Sequence, residues 1–252
     1  VLPLVLTIIV SFWDYTDYAI IPDFIFDNYI YIFEGCLSSE GGLCLTFKTY
    51  LSTFFFCFFT WLITLVLGFC VAYFLAFYVN SIPLQVCLFL VCTIPFWTSN
   101  VIRMVSWIPL LGRNGLVNEF FLSLGIIDQP IEWLLYSSFS VILALVHLYT
   151  LFMIVPIFNS MIRIDRSIVE AAYDSGATHR QIIFNIIIPL SKTGIIIGSI
   201  FVVTVVMGDF LTIGIMGGQQ LASVGKIINT EMNYLQFPGA AANAVILLII
   251  TI

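Results

Sequence analysis

Glu170-Ala171-Ala172-Tyr173-Asp174-Ser175-Gly176, followed after nine residues by Ile186-Ile187-Ile188-Pro189, is a polar island in an almost unbroken apolar chain. Arg163, Asp165, Arg166, Glu170, Asp174, His179, Arg180 and Lys192 place eight ionisable side chains within thirty residues, and the flanking segments carry almost none. Water must reach this stretch, and something apolar must cover its neighbours. The contrast points to a membrane protein that shows one docking surface to water, and away from a catalytic pocket.

Composition sets the same class. Of 252 residues 61% are hydrophobic, 9% are charged and 24 are Phe, which leaves too little polar surface for a soluble domain. A spanning helix needs about 20 apolar residues, because in lipid the backbone must satisfy its own hydrogen bonds. Four segments meet that length: Tyr50 to Val79, Leu84 to Leu111, Ser137 to Phe158 and Leu190 to Met207. Val1 to Trp13 and Ala240 to Ile252 are shorter apolar runs, read as truncated spans. A cleaved signal peptide would need a basic start and a small-residue cleavage site, which the first run lacks. The expected fold is an all-α integral membrane protein of about six transmembrane helices, with residues 1–252 forming a single domain. Residues 159–189 are expected as a cytoplasmic loop between helices 4 and 5.

Lys and Arg concentrate in that loop, which places it inside. Alternation then puts Asp14 to Phe47, Gly112 to Tyr136 and Gly208 to Phe237 outside, and the short turn Asn80 to Pro83 inside. The first outer loop holds Asp14, Asp17, Asp23, Asp27, Glu34 and Glu40, and Glu119, Asp128, Glu132, Asp209 and Glu231 add to that face. These can be ordinary solvated charges, and they are also compatible with a cationic solute. Cys57, Cys70, Cys87 and Cys92 fall in apolar segments, where packing is the simplest role. Cys36 and Cys44 fall in the outer loop, where either a disulfide or two free thiols fit.

No Walker phosphate loop, HExxH, CxxC or GxSxG occurs, so the chain has no signature of nucleotide, zinc, redox or acyl chemistry. It reads as a non-enzyme. His147 and His179 lie far apart in sequence, and structural roles are the better reading for each. If Ile168 to Ile183 is one helix, Ala171, Ala172, Ser175, Gly176 and His179 share a face almost without bulk, which lets another surface approach closely. Asp165 is placed to cap that helix, and Pro189 is expected to end the polar segment and start the next span. An amphipathic anchor would instead present Trp, Phe or Leu to lipid.

Glu170-Ala171-Ala172, Gly176, Ile186 and Pro189 resemble the EAA loop of permease subunits of ABC importers. The spacing matches at every step, and Ile188 stands where Leu is usual. The resemblance implies a coupling helix that sits in a cleft of an ATP-binding subunit, with Glu170, Ala171, Ala172, Gly176 and Pro189 as its coupling residues. A second stretch narrows the likeness: Ile94-Pro95-Phe96-Trp97-Thr98-Ser99 with Ile102-Arg103, Trp107 and Leu110 to Asn118, then Gly208-Asp209-Phe210, Gly217-Gly218 and Gln236 to Ala241, is similar to spermidine/putrescine permeases. Implied partners are two ATP-binding cassette subunits, a second permease making a heterodimer, an external solute-binding protein and the lipid of a bacterial-type cell membrane; no nucleic acid is implied. The chain would carry no cofactor, with ATP and Mg on the partner subunit.

For the substrate path the candidates are Trp97, Arg103, Trp107, Asp209 and Glu231. Arg103 stands inside an apolar run, where an ionisable residue is a functional candidate, although a cation would not pair with it and snorkelling to the interface is an alternative. Asp209 and Glu231 offer carboxylates to an ammonium group, and Trp97 and Trp107 offer aromatic faces or an interfacial belt. Two rival classes remain. An ion-coupled secondary transporter would bring internal acids and similar halves, and a non-transporting scaffold subunit would need no small-residue docking face.

Overall fold

The computed structural model describes residues 2–16, 19–34, 36 and 44–251, so Asp17 and Glu40 of the acidic loop lie outside the described residues. Helix α1 (Leu2–Val10) leads through strands β1 (Asp14–Tyr15) and β2 (Ile20–Ile21) and helix α2 (Asp27–Ile32) to α3 (Leu45–Tyr73), which ends in a π turn, Phe74–Tyr78. Then follow α4 (Ile82–Thr93), a 3-10 turn at Ile94–Trp97, α5 (Asn100–Val105), α6 (Ile108–Leu111), α7 (Leu116–Ser123) and α8 (Ser138–Met161). The island supplies α9 (Arg166–Asp174) and α10 (His179–Ile182), and a π turn at Ile183–Ile187 opens into α11 (Ile188–Gly208). The chain continues through α12 (Leu211–Met216), α13 (Val224–Asn233) and α14 (Phe237–Thr251). The two strands pair antiparallel, Asp14 with Ile21 and Tyr15 with Ile20.

Among the described residues, three helical stretches are long and apolar enough to cross a bilayer: Thr46–Tyr78, Glu132–Met161 and His179–Gly208. Their outward side chains are apolar; Phe47, Leu51, Phe54, Phe55 and Phe58 of α3 are all exposed, the inverse of a soluble surface and the face that lipid or a neighbouring helix would cover. Helix α14 is a shorter apolar helix.

The expected single helix Leu84 to Leu111 is corrected. It is a pair, Ile82–Trp97 and Asn100–Ser123, bent by 89°. Pro95 has no N–H for the helical ladder, the chain tightens to a 3-10 turn there, and Thr98 and Ser99 are extended (ψ 152° and 136°), which ends the helix. Hydropathy sums over such a bend without registering it. The expected start of the later span at Leu190 is corrected as well, because helix runs unbroken from His179 to Gly208. Pro189 lies inside it and does not end the polar segment. The preceding π turn widens the coil where the proline ring would meet the carbonyl four residues back.

Cα packing divides the chain into two compact units. The first comprises Val1–Cys57, Ile108–Val141 and Val205–Ile252. Here buried Asn28 donates to the carbonyls of Ser11 (3.0 Å) and Trp13 (2.8 Å). Fully buried Asn118 donates to the carbonyls of Gly112, Arg113 and Ile131 and accepts from the Ile131 N–H at 2.8 Å. Ser140 Oγ donates to Met216 O at 3.0 Å, and the Val224 N–H donates to Thr53 Oγ1 at 3.0 Å. Each bond satisfies backbone in loops or at helix ends, where the regular ladder gives out. Cys36 and Cys44 form a disulfide, which resolves the alternatives the sequence leaves open.

The second unit comprises Phe58–Trp107 and Ile142–Thr204. Its centre is the close approach of α8 and α11. A Cβ on Gly194 would overlap the Pro156 carbonyl, and one on Gly198 would come within 2.8 Å of Met153 Sδ. Small residues at such crossings let backbones touch where lipid supplies no hydrophobic drive. Trp61 Nε1 donates to Ser199 Oγ at 2.9 Å, and Phe89 stacks on Phe158 with centroids 5.0 Å apart. Of the four remaining cysteines, Cys57 is buried while Cys70 and Cys87 are exposed, so a packing role inside the protein holds for the first and not for those two.

Candidate functional site

The island folds as two short helices and a turn, which corrects the single helix expected over Ile168 to Ile183. Asp165 caps α9, accepting from the Ser167 N–H at 3.0 Å; that bond holds its carboxyl below the usual carboxylate range. After Asp174 the chain turns left-handed at Gly176, φ +82°. The Gly176 N–H donates to Tyr173 O (2.9 Å) and the Ala177 N–H to Ala172 O (3.0 Å), the paired bonds with which a helix closes on a C-terminal glycine. Thr178 and Gln181 then form a capping box that starts α10. Gly176 is therefore a hinge point between helices and does not extend the Ala171–Ala172 face.

The small-residue surface survives this correction. Glu170, Ala171 and Gly176 are exposed and Ala172 is half-buried, and nothing lies within 4 Å of a Cβ built on Gly176. Tyr173 OH and His179 Nδ1 lie 2.7 Å apart and pin the turn. The segment from Glu170 to Gly176 is thus largely exposed, with Ala171 and Gly176 adding little bulk to it. Pro189, ten residues beyond His179 in the same helical run, is exposed and outside that surface.

The other candidate residues fall into separate environments. In the second unit Arg103 is 8% exposed and donates to Asn100 Oδ1, while its Nε finds no acceptor among the described residues. Trp107 Nε1 donates to His147 Nδ1 at 3.2 Å, with the rings edge to face at 5.6 Å, so His147 is a bonded structural acceptor. Trp97 is 84% exposed and joins neither of them. In the first unit Asp209, one residue before the N-cap Phe210 of α12, accepts from the N–H and hydroxyl of Thr212, at 2.9 and 2.6 Å. Glu231 is half-buried, and both its oxygens lie 3.0 Å from Asn243 Nδ2.

Glu231 also lines a cavity of about 320 Å³ with Asp14, Tyr15, Asp27, Tyr31 and Gln236. Three carboxylates and two tyrosines around one volume suit a small cation. Burial raises the Glu231 pKa, and the Asn243 bond partly opposes it. Asp14 and Asp27 are legible in sequence only as loop acids. What selects them is the packing of β1 and α2 against α14, the helix that α13 also contacts, which carries no local signal.

Residues 51–252 match the family described as binding-protein-dependent transport system inner membrane component. The spermidine/putrescine transport system permease protein PotB of Escherichia coli (strain K12) is 37% identical over 188 residues, covering 74% of this chain and 67% of that protein. PotB of Haemophilus influenzae is 38% identical over 144 residues, covering 57% and 50%. In fold, the chain superposes on a chain in the crystal structure of a bacterial alginate ABC transporter in complex with its alginate pentasaccharide-bound periplasmic protein, with a TM-score of 0.69 at 17% identity over 99% of this chain and 84% of the other. The bare turn at Gly176 thus sits in a membrane chain that belongs to the family of inner-membrane components of binding-protein-dependent transport systems.

Proposed function

We propose that this chain is the permease subunit of an ATP-driven importer for a small cationic amino compound, a polyamine such as spermidine or putrescine, delivered by an external solute-binding protein. ATP and Mg act on two partner ATPase subunits, a second, different permease completes the membrane part, and the 252 residues work as one permease module. The observation that carries the mechanism is the exposed Glu170–Gly176 segment, joined through Ala177 and Thr178 to the His179–Gly208 span and pinned to it by the Tyr173–His179 contact. ATP binding closes the ATPase pair and draws the segments together; the helices follow and open the path outward, and hydrolysis resets it. Such a change is driven only by differential binding to the two states, and this segment is where that difference enters the membrane. The likeness to PotB and the carboxylates of Asp14, Asp27 and Glu231 support a cationic cargo.

The test is uptake of labelled putrescine into proteoliposomes holding this permease, its three partner subunits and the binding protein, with ATP inside and ion gradients collapsed. Persistent uptake is expected. Uptake that needs an ion gradient in place of ATP would return the chain to the secondary-transporter class.

The cavity makes a narrower prediction. Glu231→Gln removes one charge-assisted bond to an ammonium group, and the KM for putrescine is expected to rise roughly tenfold. Because burial raises the Glu231 pKa, its charge is lost on acidification before that of an ordinary glutamate. Affinity is therefore full at higher pH and falls as the outside is acidified, sooner than for an ordinary glutamate, and the Glu231→Gln protein lacks that part of the pH dependence. An unchanged KM and pH profile would remove Glu231 from the path.

A further inference from the structure

Arg166, the first residue of α9, turns away from the bare surface. Its Nη1 donates to Asn80 Oδ1 at 2.5 Å, and its Nη2 reaches the backbone carbonyls of Ala76 (3.3 Å) and Val79 (3.4 Å). Those carbonyls belong to the end of the Thr46–Tyr78 span and the residues just after it. A helix C-terminus leaves carbonyls without intrahelical donors and carries partial negative charge. Here the π turn Phe74–Tyr78 is followed by extended Val79 (ψ 106°), so the chain itself supplies no further donors. Gln85 takes the adjoining Leu75 carbonyl at 2.7 Å, and the planar fork of Arg166 reaches those of Ala76 and Val79 together with Asn80 Oδ1, a geometry that a lysine ammonium does not reproduce.

The other end of the island touches the same span. The His179 ring packs edge to face on Tyr73, centroids 6.0 Å apart, while His179 is also bonded to Tyr173 of α9. The segment is therefore held at both ends against one helix terminus, in addition to running on into the His179–Gly208 span.

We infer that Arg166 is a positioning residue that ties the coupling segment to the inner end of the Thr46–Tyr78 span, so that displacement of α9 drives two membrane helices and not one. The inference rests on the reading of this segment as the ATPase-coupling surface. An arginine that only stabilised the loop would lower assembly, and with it hydrolysis and uptake in parallel. A tie changes the yield of uptake per ATP.

The experiment uses the complete reconstituted transporter, with uptake and hydrolysis measured on the same vesicles. Arg166→Ala is expected to lower putrescine imported per ATP roughly fivefold or more, with Arg166→Lys recovering part of the loss. A spin label replacing exposed Phe74 should report an ATP-dependent change in the unaltered transporter that Arg166→Ala abolishes, while a label at Lys192 keeps its response. If Arg166→Ala fails to assemble, Asn80→Ala, which removes the side-chain acceptor and leaves the arginine, carries the same comparison. Gly176→Trp runs beside these as the check on the coupling surface. If Gly176→Trp uncouples while the Arg166 and Asn80 variants keep full yield, or if the Phe74 label never responds to ATP, the tie is wrong and the coupling surface stands. If Gly176→Trp also leaves the yield intact, both fall.

Discussion

A Gly176→Trp permease, assembled with its partners, is expected to hydrolyse ATP while importing about tenfold less solute per ATP than the unaltered chain. Two physical effects combine there. Gly176 holds φ +82°, a conformation that costs a residue with a side chain about 1 kcal/mol. That much strain weakens the turn without unfolding the helices on either side of it, whose N-termini are capped by Asp165 (α9) and by the Thr178–Gln181 box (α10). The larger effect is steric. Beyond its chain neighbours, no atom of the described residues lies within 4 Å of the new Cβ, so the side chain leaves the turn into open space, where the proposed partner would seat. Gly176→Ala separates the two, since it carries the strain without the bulk and should keep most of the coupling. The readout is the ratio of putrescine uptake to phosphate release. A Trp variant with a normal ratio would show that nothing docks at this turn.

Gly194→Val is expected to abolish the folded permease. The added Cβ would overlap the Pro156 backbone carbonyl and lie 2.7 Å from Ser160 Cβ. A carbonyl in the middle of α8 cannot swing aside as the end of a flexible side chain can, so the helices must part, at a cost of roughly 3 kcal/mol or more. Separation would also undo the Trp61–Ser199 bond farther along the same helix. Gly214→Ala in α12 is the matched control: nothing lies within 4 Å of its Cβ, and an alanine in a helix stabilises by about 0.5–1 kcal/mol relative to glycine. Thermal unfolding in detergent, followed by monodisperse elution after heating, should separate the two. Equal midpoints would mean that the α8–α11 contact yields enough to admit a side chain at Gly194.

Lipid makes the long apolar stretches conspicuous, so Thr46–Tyr78, Glu132–Met161 and His179–Gly208 are legible in composition alone. Bends are not, because Pro95 and the extended Thr98–Ser99 pair change direction without changing hydropathy. Proline misleads in the opposite sense at Pro189, where a π turn absorbs the ring and the helix continues. In the island, spacing identifies Ala171, Ala172 and Gly176, but a helical projection cannot show that the glycine is left-handed and divides two helices. The cavity at Asp14, Asp27 and Glu231 joins residues from opposite ends of the chain; sequence marks each as a loop acid, and only tertiary packing makes them neighbours. The Arg166 contacts are hidden for the same reason, since Asn80 precedes it by 86 positions.

The helix from His179 to Gly208 has 30 residues. At a rise of about 1.5 Å per residue it is about 45 Å long, against about 30 Å of hydrocarbon. If its far end sits near one face of the bilayer, about 15 Å of stiff rod stands clear of lipid on the other, with the Gly176 turn at its tip. A cantilever of that length converts angle into travel: a lean of about 10° about its far end sweeps the tip roughly 8 Å sideways, by the geometry of a rigid helix. Protein interiors resist gradual deformation, and a modest tilt is among the motions that packed helices permit. The stroke that an ATPase partner must supply is then several ångströms at the turn, and the change of angle asked of the membrane helices stays small.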